Sequence, residues 1–313
     1  MSEQIRHKGR IAQTGIYLGK LFRMFIYQND WKMIPMAALI AGMVTFAVGA
    51  NMFKTQEGTV GGCFSLVCVC LWNGFFNSIQ VICRERPIIK REHRAGMHIT
   101  SYIGAHMIYQ AILCMIQTGI IILICRIANI RFPETGAVTG NFTVDFAVSL
   151  FLITYAADMI SMTISCFVKN TTAAMTVMPF MLMFELIFSG ELIYLTGAAK
   201  KLTVLTIVKW GVMSLCALGG YNSLPMVSLW NQVWKFRKVE IHGYQPVKMI
   251  TDKILQEKKL DEFLLQCGAY NTNITYETTT SNILTCWGFM LGTIALFAVI
   301  SILLLKRVDK DTR

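Results

Sequence analysis

Arg84-Glu85-Arg86-Pro87-Ile88-Ile89-Lys90-Arg91-Glu92-His93-Arg94-Ala95-Gly96 is the stretch on which the reading of this chain turns. Seven of these thirteen residues are formally charged, in a chain that is 15% charged overall. Apolar runs flank it at roughly 59–83 and 98–125, each long enough to cross a bilayer. The charge must therefore sit outside the hydrocarbon, in a segment too short to be a domain. It reads as a compact amphipathic loop helix on the cytoplasmic side, where basic residues collect.

Working outward, further uncharged or nearly uncharged runs fall at roughly 33–53, 146–168, 172–190 and 281–305. With 54% hydrophobic residues and a mean hydropathy of +0.51, the chain belongs to the membrane class. The expected fold is all-α and polytopic, with six transmembrane helices in one membrane domain, 31–313. Before it, 1–30 holds a polar basic tail and an amphipathic helix over 11–29. That helix has an apolar stripe at Tyr17, Leu18, Leu21, Phe22 and Phe25. It suits either the membrane interface or a protein surface. No cleaved signal peptide is expected, because the first apolar run begins only near Met33. Lys306, Arg307, Lys310 and Arg313 follow the last run, and basic residues also crowd the start, so both termini are expected in the cytoplasm. An even number of crossings follows. The run 210–234 contains Gly219-Gly220, Asn222 and Pro225, so 191–234 is read as short helices that dip in without crossing. The polar residues 235–280 then form an external cap.

The net charge of +11 suggests nucleic acid, but much of the Lys and Arg lies at cytoplasmic span ends, and no nucleic-acid partner is expected. Eight cysteines (63, 68, 70, 83, 114, 125, 166 and 286) sit in apolar runs or at their edges as small hydrophobes. Cys267 lies in a polar segment and reads as a free thiol, with Cys216 or a second subunit as possible partners. No metal-spaced cysteine pair and no disulfide framework is present. The histidines at 7, 93, 98, 106 and 242 are scattered. No catalytic or metal cluster converges, and no enzyme chemistry is expected on this chain.

Four segments in order carry a family resemblance. They are the helix 11–29; Glu85 to Glu92 followed by Gly96 and Ser101-Tyr102; the Ile187-Phe188-Ser189-Gly190 corner; and the region before the last span. Together they resemble the transmembrane half of subfamily-G ABC transporters, within the type II ABC exporters. The resemblance implies that 11–29 is a connecting helix and 84–96 a coupling helix touching an ATPase. It implies that 191–280 holds re-entrant helices and an extracellular cap, and that two permease copies, identical or homologous, enclose a substrate path. Subfamily-G chains usually carry their ATPase, yet no GxxxxGK[ST] loop occurs in this sequence. A separate ABC-type ATPase subunit holding ATP and Mg is therefore expected, with no cofactor on this chain. That arrangement is typical of bacteria, and the location expected is the plasma membrane.

Candidate site residues follow. Arg84, Glu85, Arg86, Lys90, Arg91 and Glu92 are expected to face the ATPase, with Pro87 starting the helix and Gly96 stopping it. Asn73, Asn77 and Gln80, beside Trp72 and Phe76, share a face of span two; His106, Gln110 and Gln117 share a face of span three. Polar residues facing lipid are costly, so both stripes should line a substrate path or bond to each other. The family's aromatic clamp falls on Asn73, and its apolar valve on Glu191-Leu192, the expected gate. Asp158, mid-span four, is expected to be offset by a partner or by water, with pairing inside the bundle the simpler case, and Glu185, in the outer half of span five, should cost less. Gly288 and Gly292 are spaced for close helix packing, within the chain or against a second copy. The function expected is an exporter permease driven by a separate ATPase. The alternatives are a non-transporting anchor or regulator of an ATPase, and a channel.

Overall fold

The computed structural model describes residues 9–27, 30–193, 195–240 and 244–306. The tail 1–8, with His7, lies outside the described residues, as do His242 and the basic residues Arg307, Lys310 and Arg313. Helices and loops make up the described residues, without a strand. Helix α1 (Arg10–Tyr27) leads through a single 3₁₀ turn to α2 (Met33–Val48), then come α3 (Gln56–Ser78), α4 (Val81–Arg94), α5 (Ile99–Ile127), α6 (Phe142–Phe167) and α7 (Thr171–Ile187). The short α8 (Ala198–Leu202) and α9 (Ile207–Leu218) precede three helices beyond the bundle, α10 (Ser228–Lys235), α11 (Pro246–Gln256) and α12 (Leu260–Tyr270). The last is α13 (Thr280–Leu305).

Among the described residues five helical stretches are long and apolar enough to cross a membrane: Met33–Asn51, Gln56–Arg94, Ile99–Ile127, Phe142–Phe167 and Thr280–Leu305. Helix α7 is apolar but shorter, 17 residues, about 26 Å at 1.5 Å per residue. The stretches Ala199–Leu205 and Ile207–Leu218 meet at 73°, a bend that suits either a broken span or a re-entrant loop. Local chemistry starts several of these helices. The Thr55 hydroxyl accepts from Gly58 N–H at the head of α3, and the Asn170 side chain accepts from Ala173 N–H at the head of α7.

Helices α3 and α6 form the centre. Gly74 is the point of closest approach: a Cβ there would sit 2.7 Å from Ala157 Cβ and 2.8 Å from the Asp158 nitrogen. The backbone, not a flexible side chain, blocks it. Gly74→Ala is therefore expected to destabilise the bundle by about 1–3 kcal/mol, read as a lower midpoint of thermal unfolding in detergent. Gly288 and Gly292 do not pack against another helix of the chain. Nothing lies within 4 Å of a Cβ built on either, because α13 turns that face away from its own bundle.

Two carboxylates, one buried and one exposed, hold the irregular parts. Glu185 of α7 accepts from the backbone N–H groups of Ile207 at 2.8 Å and Val208 at 3.4 Å. It caps α9 from another helix, satisfying donors that a helix start buried at membrane depth would otherwise leave orphaned. At the same end of the bundle, Glu57 in the first turn of α3 accepts from Val227 and Ser228 at the start of α10. Gln56 bonds to Pro225 and Gly268, so the α10–α12 region is fastened over the head of α3.

Candidate functional site: the α4 lever and the cavity beside it

Helix α4 continues α3 after a two-residue break at Ile79-Gln80. One face of α6 tends that break. The Ser78 hydroxyl donates to Asp158, the Ser161 hydroxyl donates to the Phe75 carbonyl at 2.8 Å, and Ser165 Oγ accepts from Ile82 and Cys83 N–H at 3.1 Å each. Ser165 thus does for α4 what an N-cap residue does locally, but from another helix. At the far end Gly96 adopts φ 101°. Its N–H bonds to His93 and that of Met97 to Glu92, the paired bonds of a Schellman stop. Gly96 ends the helix as expected. Pro87 does not begin it: α4 starts at Val81, so Pro87 lies inside the helix and leaves the Cys83 carbonyl without its usual N–H.

The charged residues of α4 divide by face. Glu85 is 5% exposed and points inward. It accepts from Tyr102 Oη at 2.9 Å and pairs with Lys20 Nζ of α1 at 3.2 Å. Arg86 donates from Nη1 to the carbonyls of Cys166 at 3.1 Å and Val168 at 2.6 Å, a cation at the C-terminal end of α6. Glu92 is half-buried and accepts from Tyr17 Oη at 3.0 Å. Burial, with Glu92 and Glu85 nearby, pushes the Tyr17 hydroxyl well above its usual range, so it stays a donor. Glu85, Arg86 and Glu92, expected to face an ATPase, each bond within the chain, with Glu85 buried and the other two half-buried. Lys90 is half-buried. The outward face is Arg84, Pro87, Ile88, Arg91 and Arg94, a basic stripe around one apolar residue.

Helix α1 packs on α5 rather than standing apart. Tyr17 meets the Tyr102 ring edge-on at 5.5 Å, and Phe22 meets Tyr109 at 5.6 Å. Gln13 bridges Gly96 and His98. Sequence reasoning missed Gln13, Lys20 and Tyr102 as partners of the charged stretch. Lys20, off the apolar stripe of α1, was the one signal that could have pointed there.

Beside α4 lies a cavity of about 490 Å³ between α2, α3 and α5, closed at one side by Leu21 and Met24 of α1. Trp72, Asn73, Phe76, Asn77 and Gln80 line it, as does Gln117. His106 and Gln110 do not, correcting their expected place in a path. They are fully buried away from it, and Gln110 Nε2 donates to the Asn77 carbonyl at 3.2 Å. The two polar stripes meet in a reciprocal amide pair: Asn77 Nδ2 donates to Gln117 Oε1, and Gln117 Nε2 to Asn77 Oδ1, both at 2.9 Å. Asn77→Leu should leave Gln117 stranded and cost about 0.6–2 kcal/mol. Adding Gln117→Leu should recover part of that loss, a non-additivity read by thermal unfolding of both single variants and the double.

At the opposite end, Glu191 accepts from Tyr276 Oη at 3.0 Å, and Leu192 is exposed. Burial raises the Glu191 carboxyl, while the Tyr276 hydroxyl and Lys209 pull it back down. All ten cysteines are free. No group of three or more His, Cys, Asp or Glu side chains among the described residues could hold a metal.

Comparison with known proteins places this geometry. Residues 20–212, more than half of the chain, match the family described as ABC-2 type transporter. A curated relative, an ABC transporter ATP-binding/permease protein of Mycobacterium tuberculosis, is 25% identical over 143 residues. The match covers 45% of this chain but only 16% of that protein's length.

Proposed function

The chain belongs to the ABC-2 type transporter family, and from that premise we propose that this multi-pass membrane permease component is an exporter half driven by a separate ATPase subunit. Two copies, or this chain and a homologous one, enclose the substrate path. ATP and Mg belong to the partner. Both termini and α4 lie in the cytoplasm, in a bacterial plasma membrane, and the α10–α12 region lies outside. The relative's name joins ATP binding and permease in one protein, which supports pairing this chain with an ATPase.

One observation carries the reading: α4 is the continuation of α3, and α3 forms a wall of the cavity. A push on the outward face of α4, at Arg84, Ile88, Arg91 and Arg94, is delivered through a hinge at Ile79-Gln80 to Gln80, Asn77, Phe76, Asn73 and Trp72. A mere membrane anchor would have no use for a cavity coupled to its docking face. Glu85, Arg86, Lys90 and Glu92 act from behind, bracing α4 on α1, α5 and α6. The test is co-purification of the chain with its ATPase and reconstitution in liposomes. Substrate-stimulated ATP hydrolysis accompanied by transport supports the reading; hydrolysis indifferent to every transported candidate sinks it.

Glu191 and Leu192 are the proposed gate, wetter than an apolar valve because of the carboxylate. Glu191→Leu removes the acceptor of Tyr276 and should lower transport several-fold, while ATP hydrolysis persists. Unchanged transport would dismiss the gate.

A further inference from the structure

Helix α10 carries more apolar surface than the protein covers. It starts at the head of α3, where Glu57 holds the N–H groups of Val227 and Ser228. Helix α3 opens the membrane-long stretch Gln56–Arg94, so its head marks a bilayer surface. The 8 residues of α10 span about 12 Å. Phe236, in the 3₁₀ turn that follows, therefore stays within about 12 Å of that surface's level. Two apolar halves run along the helix. Trp230 and Trp234 form the covered half: Trp230 meets the Phe263 ring of α12 at 5.6 Å, and Arg237 lies over Trp234 at 4.1 Å. Leu229, Val233 and Phe236, spaced i, i+4, i+7, form the other. There Leu229 is 39% exposed and Phe236 58%. Asn231, Lys235 and Lys238 make up the polar side, and all three are exposed. Arg237 is not a free cation, because it pairs with Asp252 of α11. Among the nearby carboxylates, Glu57 is spent on the start of α10 and Glu240 accepts from Gln245. Asp261 and Glu262 stand in the first turn of α12, the helix that covers Trp230. Lys235 and Lys238 form no ion pair with a described residue.

We infer that the Leu229–Val233–Phe236 face of α10 lies on the phospholipid headgroup layer at the head of α3, with Lys235 and Lys238 on its polar side at the level of the lipid phosphates. A short apolar face backed by cations and accompanied by tryptophans is the pattern of a helix that lies in a membrane interface. Glu57 fixes the start of that helix at the bilayer surface. A second copy is the poorer occupant: three side chains by themselves offer far less than the ~800 Å² per partner of a stable protein interface. Lipid needs no such minimum, and its phosphates complement the two lysines. The α10–α12 region is then tied down twice, to the head of α3 by Gln56 and Glu57 and to the lipid surface by α10. The inference is independent of the permease reading and of which side of the membrane this leaflet faces.

The test is nitroxide labelling of the full chain in phosphatidylcholine nanodiscs, without nucleotide or ATPase. Leu229→Cys and Phe236→Cys each place the label on the apolar face, and Asn231→Cys places it on the polar side. All three positions are exposed, so the substitutions leave no cavity in the core. The native cysteines are buried or half-buried, and the wild type treated alike gives their background. Accessibility to oxygen, which concentrates in hydrocarbon, is compared with accessibility to a water-soluble nickel chelate. The oxygen-to-nickel ratio is expected to be several-fold higher at 229 and 236 than at 231. Equal, nickel-dominated ratios at all three positions would overturn the inference, because the face would then stand in water. Low access to both probes at 229 and 236 would also overturn it, because a second copy or another protein would then cover the face.

Discussion

Glu85→Lys is expected to collapse the corner where α1, α4 and α5 meet. The carboxylate is 6% exposed at its side chain and Lys20 is 32% exposed. Reversal sets two cations against each other and strips Tyr102 of its acceptor. Breaking a buried pair in this way costs about 3 kcal/mol, the low end of the usual range because Lys20 is partly solvated. The measurement is the thermal midpoint and monodisperse yield in detergent. Glu85→Gln, which keeps an acceptor for Tyr102, should lose less. The exchange of charges in Lys20→Glu with Glu85→Lys should recover part of the loss, a coupling that a double-mutant cycle isolates. If Glu85→Lys leaves the midpoint unchanged, the carboxylate does not brace α4, and its place in an ATPase contact reopens.

Arg91→Glu combined with Ile88→Ala should do the opposite: leave the bundle intact and cut its response to ATP. Both residues are exposed on the outward face of α4, so their loss strands nothing inside the protein. At an interface, reversing a paired charge beside an apolar anchor costs enough to weaken docking at least about tenfold, ~1.4 kcal/mol. The readouts are retention of the ATPase on the purified permease and the ratio of transport to hydrolysis, with the unfolding midpoint as control. A variant that keeps its ATPase and full coupling would remove α4 from the transmission path. The contrast between these two substitutions is itself informative. Residues seven positions apart or fewer on one short helix divide into brace and contact.

Much of the architecture was legible because membrane helices announce themselves. Long apolar runs and Gly96 as a stop follow from residue chemistry within a few positions. The charged stretch 84–96 marked a membrane face for the same reason. Pro87 misled, because a proline favoured in the first turn of a helix is also tolerated inside one whose start lies upstream. The Val81 start depends on Ser165, which is 82 residues from Cys83. No local pattern around Val81 contains it. The pairing of polar stripes on spans two and three was open to two readings, and the structure shows the hydrogen-bonded one. Asn77 and Gln117 bond each other while lining the cavity, whereas His106 and Gln110 sit behind the wall.

By itself the sequence determined that this is an all-α polytopic membrane protein with a short charged helix at one face and a polar region at the other. Those features depend on hydrocarbon thickness and on the cost of putting charge into it, which act on each segment separately. Only the tertiary structure decided which way each charge faces. Glu85 points inward because Lys20, 65 residues away, reaches it across the packed α1. Arg86 turns to α6 because that helix ends beside it with carbonyls to fill. A helix shows its periodicity in its own residues, but the meaning of each face comes from the neighbour that covers it.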